Sequence, residues 1–315
     1  MRAMAIEEFG GPEKLKLMDL PEPHAGPGEV VVRAVAAGVN PVDWKIREGW
    51  LRGSFPHEFP VVPGWEVAGT IEEIGEGVSR FRKGERVFAY ARKPVVQWGT
   101  YAELVAVPET GVAPMPSRLL FEEAAAVPLT GLTAYQSLFG SPGIGPGAVV
   151  LIHAGAGGVG HFAVQLAKNA GARVLATAGT SSQEFVLSLG AESVIDYTRE
   201  DWSDAVDRLS PDGVDFVYDT LGGDTQKQSF DVLKPGGRLV SIVTPPDPAL
   251  AKKRGVKAEY VFVEPSAAQL ATLGGMCDAG KLKPSVQHIF PLADAAEAQD
   301  LSRAGHVHGK LVLAL

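Results

Sequence analysis

The stretch that most constrains the fold is residues 149–160. It begins with the apolar run 149–152 and then turns through glycines into a helix with one apolar face. Gly155, Gly157 and Gly160 match G-x-G-x-x-G between that strand and that helix. Glycines let a pyrophosphate approach the backbone, and a helix N-terminus offers free N–H groups. The stretch therefore predicts a dinucleotide cradle; the alternative is a glycine-rich turn that binds nothing. The expected cradle consists of Ala154, Gly155, Ala156, Gly157, Gly158, Val159 and Gly160.

Strands and helices alternate after residue 149, which predicts a doubly wound parallel sheet in an α/β protein. We expect strands at 149–153, 173–178, 193–196, 216–219, 238–243 and 257–263. Helices are expected near 159–169, 182–189, 201–209 and 224–233. Short apolar runs separated by Gly and Pro make residues 1–120 mostly β. Residues 119–127 are expected to be helical, followed by a second helix at 130–139 that Thr130 caps.

Composition narrows the range of partners. A chain of 315 residues suits about two domains. The net charge of −8 and the lack of a basic stripe argue against nucleic acid. The sequence contains no run of 18 apolar residues, so no membrane-spanning helix is expected. Cys277 is the only cysteine, so disulfides within the chain are excluded and a cytoplasmic setting is expected.

The end of the second expected strand predicts which nucleotide is bound. NAD-binding proteins place an acid about 20 residues beyond the glycine loop, where it bonds the ribose 2′-hydroxyl. Residues 161–183 contain no Asp or Glu, which favours NADP(H). Hydroxyl and backbone groups are expected to contact the 2′-phosphate, although the same hydroxyls suit a cap on the next helix. The expected contacts at this turn are Thr177, Ala178, Thr180, Ser181 and Ser182.

Several motifs together carry a family resemblance that covers nearly the whole chain. They are GVNPVD at 38–43, PGWEVAG at 63–69, GERV at 84–87, PLTGLTA at 128–134, the loop at 154–160, LGA at 189–191, IDY at 195–197 and the stretch 305–310. With these residues the chain resembles the zinc-independent branch of the medium-chain dehydrogenase/reductase superfamily, in particular the quinone oxidoreductases and the NADPH-dependent alkenal (enone) reductases.

The resemblance implies a GroES-like catalytic domain at 1–122 and 264–315, and a Rossmann NADP(H)-binding domain at 123–263. Zinc-dependent relatives carry Cys where this chain has Asn40, and His where it has Trp65. No metal site is therefore expected. The implied reaction is hydride transfer from NADPH to a quinone or to the C=C bond of an α,β-unsaturated carbonyl. Two alternatives remain open: an enoyl-thioester reductase of a biosynthetic pathway, and a non-catalytic, crystallin-like NADPH-binding protein.

The resemblance also implies further site residues. Expected cofactor contacts outside the two turns are Tyr197 near the adenosine phosphate, Asn40 and Thr130 at the nicotinamide end, Ile242, Val243, Phe262 and Val263 beside the nicotinamide ring, and Lys310. Candidate catalytic residues are Asn40, Asp43, Lys45 and Tyr90. Each of these cofactor and catalytic candidates also has a purely structural interpretation, such as an Asx turn at Asn40 or core packing of the apolar residues.

A homodimer is the expected assembly. The last strand of the doubly wound sheet, 257–263, contains no proline and lies at a sheet edge, where unpaired backbone groups invite a second strand. Lys257 and Glu259 are expected to pair crosswise about a two-fold axis. Quinone oxidoreductase relatives commonly dimerise in this way.

Overall fold

The computed structural model describes residues 1–140 and 143–315. The chain divides into two compact units. The first comprises Met1–Leu132 and Pro265–Leu315, and the second comprises Thr133–Glu264. The strands are β1 (Arg2–Ala5), β2 (Lys16–Asp19), β3 (Glu29–Val39), β4 (His57–Val62), β5 (Glu66–Ile74), β6 (Arg86–Tyr90), β7 (Val96–Trp98), β8 (Leu104–Pro108), β9 (Val112–Pro114), β10 (Val149–Ile152), β11 (Arg173–Ala178), β12 (Ser193–Asp196), β13 (Val214–Asp219), β14 (Leu233–Ser241), β15 (Lys257–Tyr260), β16 (Val286–Pro291) and β17 (Lys310–Ala314).

The helices connect these strands. They are α1 (Pro41–Arg47), α2 (Phe121–Ala125), α3 (Pro128–Phe139), α4 (Gly160–Asn169), α5 (Gln183–Ser188), α6 (Trp202–Leu209), α7 (Gly223–Ser229), α8 (Pro248–Arg254), α9 (Ala267–Asp278) and α10 (Ala295–Ala304). Within the described part of the chain, no helix is both long enough and apolar enough to cross a membrane.

The second unit is built on a parallel sheet of six strands in the order β12-β11-β10-β13-β14-β15. This order confirms the predicted doubly wound architecture. The strand order reverses between β10 and β13, and in such sheets ligands bind outside the carboxyl ends of the strands at that point. Strands β10 and β13 are buried along most of their length, with Leu151, Val217 and Leu239 in one core cluster. Near-continuous apolar runs are the pattern expected of strands covered on both faces.

The first unit is mainly antiparallel. Its largest sheet has the order β16-β17-β3-β5-β6-β9, and β8 also pairs with β3. Strand β17 pairs antiparallel with β3, so the C-terminal segment completes a sheet begun near the N-terminus. The core beneath it contains Val30, Val32, Val67 and Val105. A mainly antiparallel unit and a doubly wound parallel unit together confirm the predicted α/β class.

Several sequence-based boundaries were wrong. The helix expected from 130 begins at Pro128, because proline suits the first turn of a helix, whose N–H groups lack partners. Thr130 therefore lies inside α3, and its hydroxyl donates to the carbonyl of Ala126 at 2.9 Å instead of capping the helix. Helix α7 ends at Ser229, and β14 begins earlier than expected, at Leu233. Strand β15 ends at Tyr260, short of residue 263.

Candidate functional site

Two glycines of the loop between β10 and α4 stand where a side chain has little or no room. A Cβ atom at Gly160 would lie 2.1 Å from the carbonyl oxygen of Ala154. Ala154 itself has a φ of 50°, in the left-handed region that non-glycine residues rarely adopt. A Cβ at Gly155 would lie 3.0 Å from the side chains of Ala176 and Val186. The loop is therefore held in one tight conformation against the second strand of the sheet.

The same loop offers backbone donors to an anion. Its internal hydrogen bonds use the N–H of Gly155, which donates to the Thr177 carbonyl, and the N–H of Gly157, which donates to Ala154. Among the residues that the structure describes, the N–H groups of Ala156, Gly158 and Val159 have no partner. They precede the first turn of α4, where the helix dipole favours negative charge. These features fit the pyrophosphate of a dinucleotide.

Two buried side chains, those of Thr177 and His153, support the start of the loop at Ala154. The hydroxyl of Thr177 accepts from the Ala154 N–H at 3.1 Å. The His153 ring lies 3.3 Å from that hydroxyl and 3.0 Å from the Ser229 hydroxyl. Burial lowers the pKa of His153 to about 4, so the ring is neutral near pH 7 and acts by hydrogen bonding. Sequence reasoning missed His153, although its position directly after an apolar strand is a usable signal.

The turn after β11 carries the residues expected to meet a 2′-phosphate. Ala178 ends the strand and is buried, while Thr180 and Ser181 are exposed and Ser182 is buried. The Thr180 hydroxyl donates to a carboxylate oxygen of Asp196 at 2.5 Å. The same hydroxyl lies 3.0 Å from that of Thr198, so an acid and a second hydroxyl of the neighbouring strand end flank this turn.

Tyr197, directly after β12, has 47% of its surface exposed. Its hydroxyl would lie 3.6 Å from a Cβ placed on Gly179, so the tyrosine stands beside the turn that follows β11. Two adjacent strand ends of the second unit therefore bring the predicted adenosine-end residues together.

Asp219, at the end of β13, organises the next strand ends. It is fully buried and accepts from the backbone N–H groups of Leu221 and Gly222 at 3.0 and 2.8 Å. The Gln226 amide donates to it at 2.9 Å and the Ser241 hydroxyl at 2.7 Å. All four donors are used to shape the turns after β13 and β14. Sequence reasoning missed this residue, since an acid ending a strand resembles many ordinary ones.

The apolar residues expected at the nicotinamide end follow β14 and β15. Val243 and Phe262 are exposed, Ile242 is half-buried and Val263 is buried. Ser241 and Tyr260 are register partners, so Val243 and Phe262 lie two residues beyond a matched pair. The carboxyl end of this part of the sheet therefore presents apolar side chains to solvent.

The first unit buries a network of charged and polar groups at the start of α1. Asp43 is fully buried, and one of its oxygens accepts from the Asn40 N–H at 2.7 Å and from the Tyr101 hydroxyl at 2.8 Å. Burial raises the pKa of Asp43 to about 7, against the hydrogen bonds that favour its charged form. Asp43 is thus bonded as the cap of a helix rather than exposed as an acid.

Glu66 is the centre of this network. One of its oxygens accepts from the Asn40 side-chain amide at 2.7 Å and pairs with the Lys310 ammonium at 2.6 Å. The other accepts from the Leu129 N–H at 2.7 Å, in the first turn of α3. Lys310 also donates to the Val39 carbonyl at 2.8 Å and to the Asn40 amide oxygen at 2.5 Å. Asn40 and Lys310 are brought together here, inside the first unit.

The remaining candidates lie on nearby elements of the same unit. Tyr90 is buried at the end of β6, and Trp65 lies between the rings of Phe55 and Tyr90. Lys45 is half-buried, and this burial lowers its pKa. Of the four candidate catalytic side chains, that of Lys45 is the one with substantial exposure.

The donor chemistry at the expected zinc positions is poor. Asn40 and Trp65 replace a thiolate and an imidazole, and the Asn40 amide is already bonded to Glu66 and Lys310. In residues 1–140 and 143–315, no three His, Cys, Asp or Glu side chains gather as a metal site would require. Cys277 is buried, which raises the pKa of its thiol to about 12.

Two family profiles match the chain. Residues 26–117 match an alcohol dehydrogenase GroES-like domain, and residues 189–313 match a domain described as zinc-binding dehydrogenase. The human quinone oxidoreductase is 33% identical over 100% of this chain and 98% of its own length.

Solved structures agree over the whole chain. A structure described as an NAD-dependent alcohol dehydrogenase has a TM-score of 0.92 and 35% identity, covering 100% of both chains. The Escherichia coli quinone oxidoreductase complexed with NADPH has a TM-score of 0.90 and 29% identity, again covering 100% of both chains.

Proposed function

The chain belongs to the medium-chain dehydrogenase/reductase family, among its quinone oxidoreductases, and from that premise we propose that it is an NADPH-dependent oxidoreductase. We propose that it transfers hydride, without zinc, to a quinone or to the C=C bond of an α,β-unsaturated carbonyl compound.

The observation that carries this proposal is the glycine loop. The N–H groups of Ala156, Gly158 and Val159 would hold the pyrophosphate, because they lack other partners and precede a helix N-terminus. Gly160 would keep the helix close to the strand, since no larger residue fits against the Ala154 carbonyl. These properties belong to a dinucleotide site and are unnecessary in an ordinary turn.

The two ends of the nucleotide would meet different surfaces. At the adenosine end, the absence of an acid in the second-strand turn and the exposed Ser181 support a 2′-phosphate. At the other end, Val243 and Phe262 would flank the nicotinamide and displace water from it. Exclusion of water strengthens electrostatic interactions and prevents loss of the hydride to side reactions.

The chemistry then divides between cofactor and chain. NADPH supplies the hydride when it is bound. The chain positions the acceptor and provides no Lewis acid, because Asn40 and Trp65 stand at the two ligand positions. For a C=C acceptor, hydride adds to the β carbon and a proton must reach the α carbon. Lys45 is our candidate donor, since the residue is partly exposed and burial lowers the pKa of its ammonium, with water as the alternative source.

The test is NADPH oxidation with matched panels of quinones, enones and enoyl thioesters. We expect turnover with quinones or enones, no response to chelators and less than about one zinc per ten chains by metal analysis. One zinc per chain, with activity lost to a chelator and restored by zinc, would refute the metal-free mechanism. Tight NADPH binding without any turnover would favour a non-catalytic role, and turnover confined to enoyl thioesters would favour the biosynthetic alternative.

We also propose a homodimer through the β15 edge. The N–H of Val261 donates to the Ser241 carbonyl, so the backbone of Val261 faces β14. Backbone groups alternate in direction along a strand, and those of Tyr260 and Ala258 therefore face outward. Tyr260 is 40% exposed. The Glu259 carboxylate is bonded to Arg238 of β14, so a crosswise pair with Lys257 of the second copy would compete with this pair within the chain. Backbone pairing and Tyr260 would therefore carry the contact.

A further inference from the structure

An acid of the third strand reaches the turn where cofactor preference is decided. In doubly wound folds, the end of the second strand meets the 2′ position of the adenosine ribose. Here that strand, β11, ends at Ala178, whose register partner is Asp196 at the end of β12. The Thr180 hydroxyl, two residues past the strand end, donates to Asp196 at 2.5 Å. The carboxylate is thus one hydrogen bond from the turn.

The Asp196 carboxylate is fixed and charged. Its second oxygen accepts from the Thr198 N–H at 3.0 Å and from the Thr198 hydroxyl at 2.6 Å. These bonds, with that from Thr180, hold the pKa of Asp196 below its ordinary value. Both threonine hydroxyls lie within hydrogen-bond distance of the acid and 3.0 Å from each other, so a ligand at this turn competes with Asp196 for their hydrogens. The turn that lacks an acid in sequence therefore has one in space.

We propose that Asp196 limits the preference of this chain for NADPH over NADH, because its carboxylate opposes the 2′-phosphate of NADPH and accepts a hydrogen bond from the 2′-hydroxyl of NADH. The proposal rests on the nucleotide site proposed above. Arg199, on the same turn, lies close enough to contribute to the lowered pKa of Asp196, so its positive charge offsets part of the repulsion. NADPH is therefore disfavoured by the acid without being excluded.

The magnitude depends on the separation of the two charges, for which we assume a distance just beyond direct contact. A carboxylate and a phosphate about 6 Å apart in water repel enough to change affinity roughly three- to tenfold at low salt. This effect shrinks as salt rises, since the screening length is about 10 Å at 0.1 M. A neutral 2′-hydroxyl gives no such salt dependence.

The decisive experiment is titration of the purified chain with NADPH and with NADH, followed by nucleotide fluorescence, for three variants. Asp196→Asn removes the charge and keeps an acceptor. Asp196→Ser also removes the charge, and its hydroxyl can still accept a hydrogen bond from the Thr198 N–H in an ST turn. This second variant keeps the test valid if Asp196→Asn misfolds. Asp247→Asn is the matched control, because Asp247 caps α8 with its carboxylate and belongs to the opposite side of the sheet. The edge strands β12 and β15 are about 24 Å apart at ordinary strand spacing.

We expect either substitution at Asp196 to raise the ratio of the NADH to the NADPH dissociation constant roughly three- to tenfold at low salt, and less at high salt. Asp247→Asn should leave the ratio unchanged. An unchanged ratio in well-folded Asp196 variants, or an equal change in the control, overturns the proposal. Failure of the unmodified chain to bind either nucleotide would instead refute the proposed nucleotide site, so the two failures are distinguishable.

Discussion

Replacing Glu66 by glutamine should be among the most destabilising changes in the first unit. Both oxygens of Glu66 accept hydrogen bonds, from Asn40 and Lys310 on one side and from the Leu129 N–H on the other. In either orientation, the amide of Glu66→Gln turns an N–H₂ group toward a donor. The substitution also removes the counter-charge of Lys310, whose side chain is 2% exposed.

The cost can be bounded from the burial of the pair. Removing one partner of a buried ion pair leaves an uncompensated charge and costs about 3–5 kcal/mol. For a domain of this size, 1 kcal/mol lowers the midpoint of thermal unfolding by about 2–4 °C. Glu66→Gln is therefore expected to lower the midpoint by roughly 6–20 °C. Lys310→Met should cost a similar amount, because it leaves the Glu66 carboxylate buried with fewer donors.

The assay is calorimetry or urea unfolding of the two single variants and of the double variant Glu66→Gln/Lys310→Met. The double variant should be less destabilised than the sum of the singles, by about 0.5–3 kcal/mol, because neither unpaired charge remains. Asp224→Asn serves as the control, since Asp224 forms an exposed pair with Lys227 and its loss should leave the midpoint unchanged within error.

Two results would refute this reasoning. Additive single costs would mean that the buried charges do not depend on each other. A cost of Glu66→Gln no larger than that of the exposed control would mean that water or local rearrangement satisfies Lys310.

Three further predictions concern other parts of the chain. The pKa of Asp43 is raised to about 7 in the folded state, so the contribution of this group to stability is complete below its unfolded pKa and is lost as pH rises to about 7. The unfolding free energy of the unmodified chain minus that of Asp43→Asn should therefore fall between pH 4 and 7. A difference that stays flat over this range contradicts the raised pKa. Gly160→Ala places a Cβ against the Ala154 carbonyl and should weaken NADPH binding more than tenfold in fluorescence titrations. The control Gly275→Ala, in open space on α9, should bind NADPH normally and be more stable by up to about 1 kcal/mol. Equal binding by both variants would mean that the loop is not part of the nucleotide site. Tyr260→Pro deletes an outward-facing donor of β15 and should convert a dimer to a species near 33.2 kDa by light scattering, and a dimer that survives this change must use another surface.

Local sequence was sufficient for the framework of the second unit. The apolar run before Gly155 and the amphipathic helix after Gly160 specify strand, turn and helix through short-range periodicity and backbone sterics. The parallel strand order followed because alternating strands and helices have few compact solutions. Gly171 follows the C-cap of α4 with a φ of 79°, the left-handed conformation that glycine adopts most readily at a helix end. Boundaries were less certain, as the start of α3 at Pro128 shows, because capping competes with packing.

The electrostatics of both candidate sites were decided only by tertiary structure. Residues 161–183 contain no acid, yet the register of β11 against β12 brings Asp196 to the same turn. Glu66 and Lys310 are far apart in the chain, and they meet because β17 pairs with β3 beside β5. A sequence shows which charges exist, but the energy of a charge depends on its burial and on its partners at a few ångströms, and strand pairing between distant segments sets both.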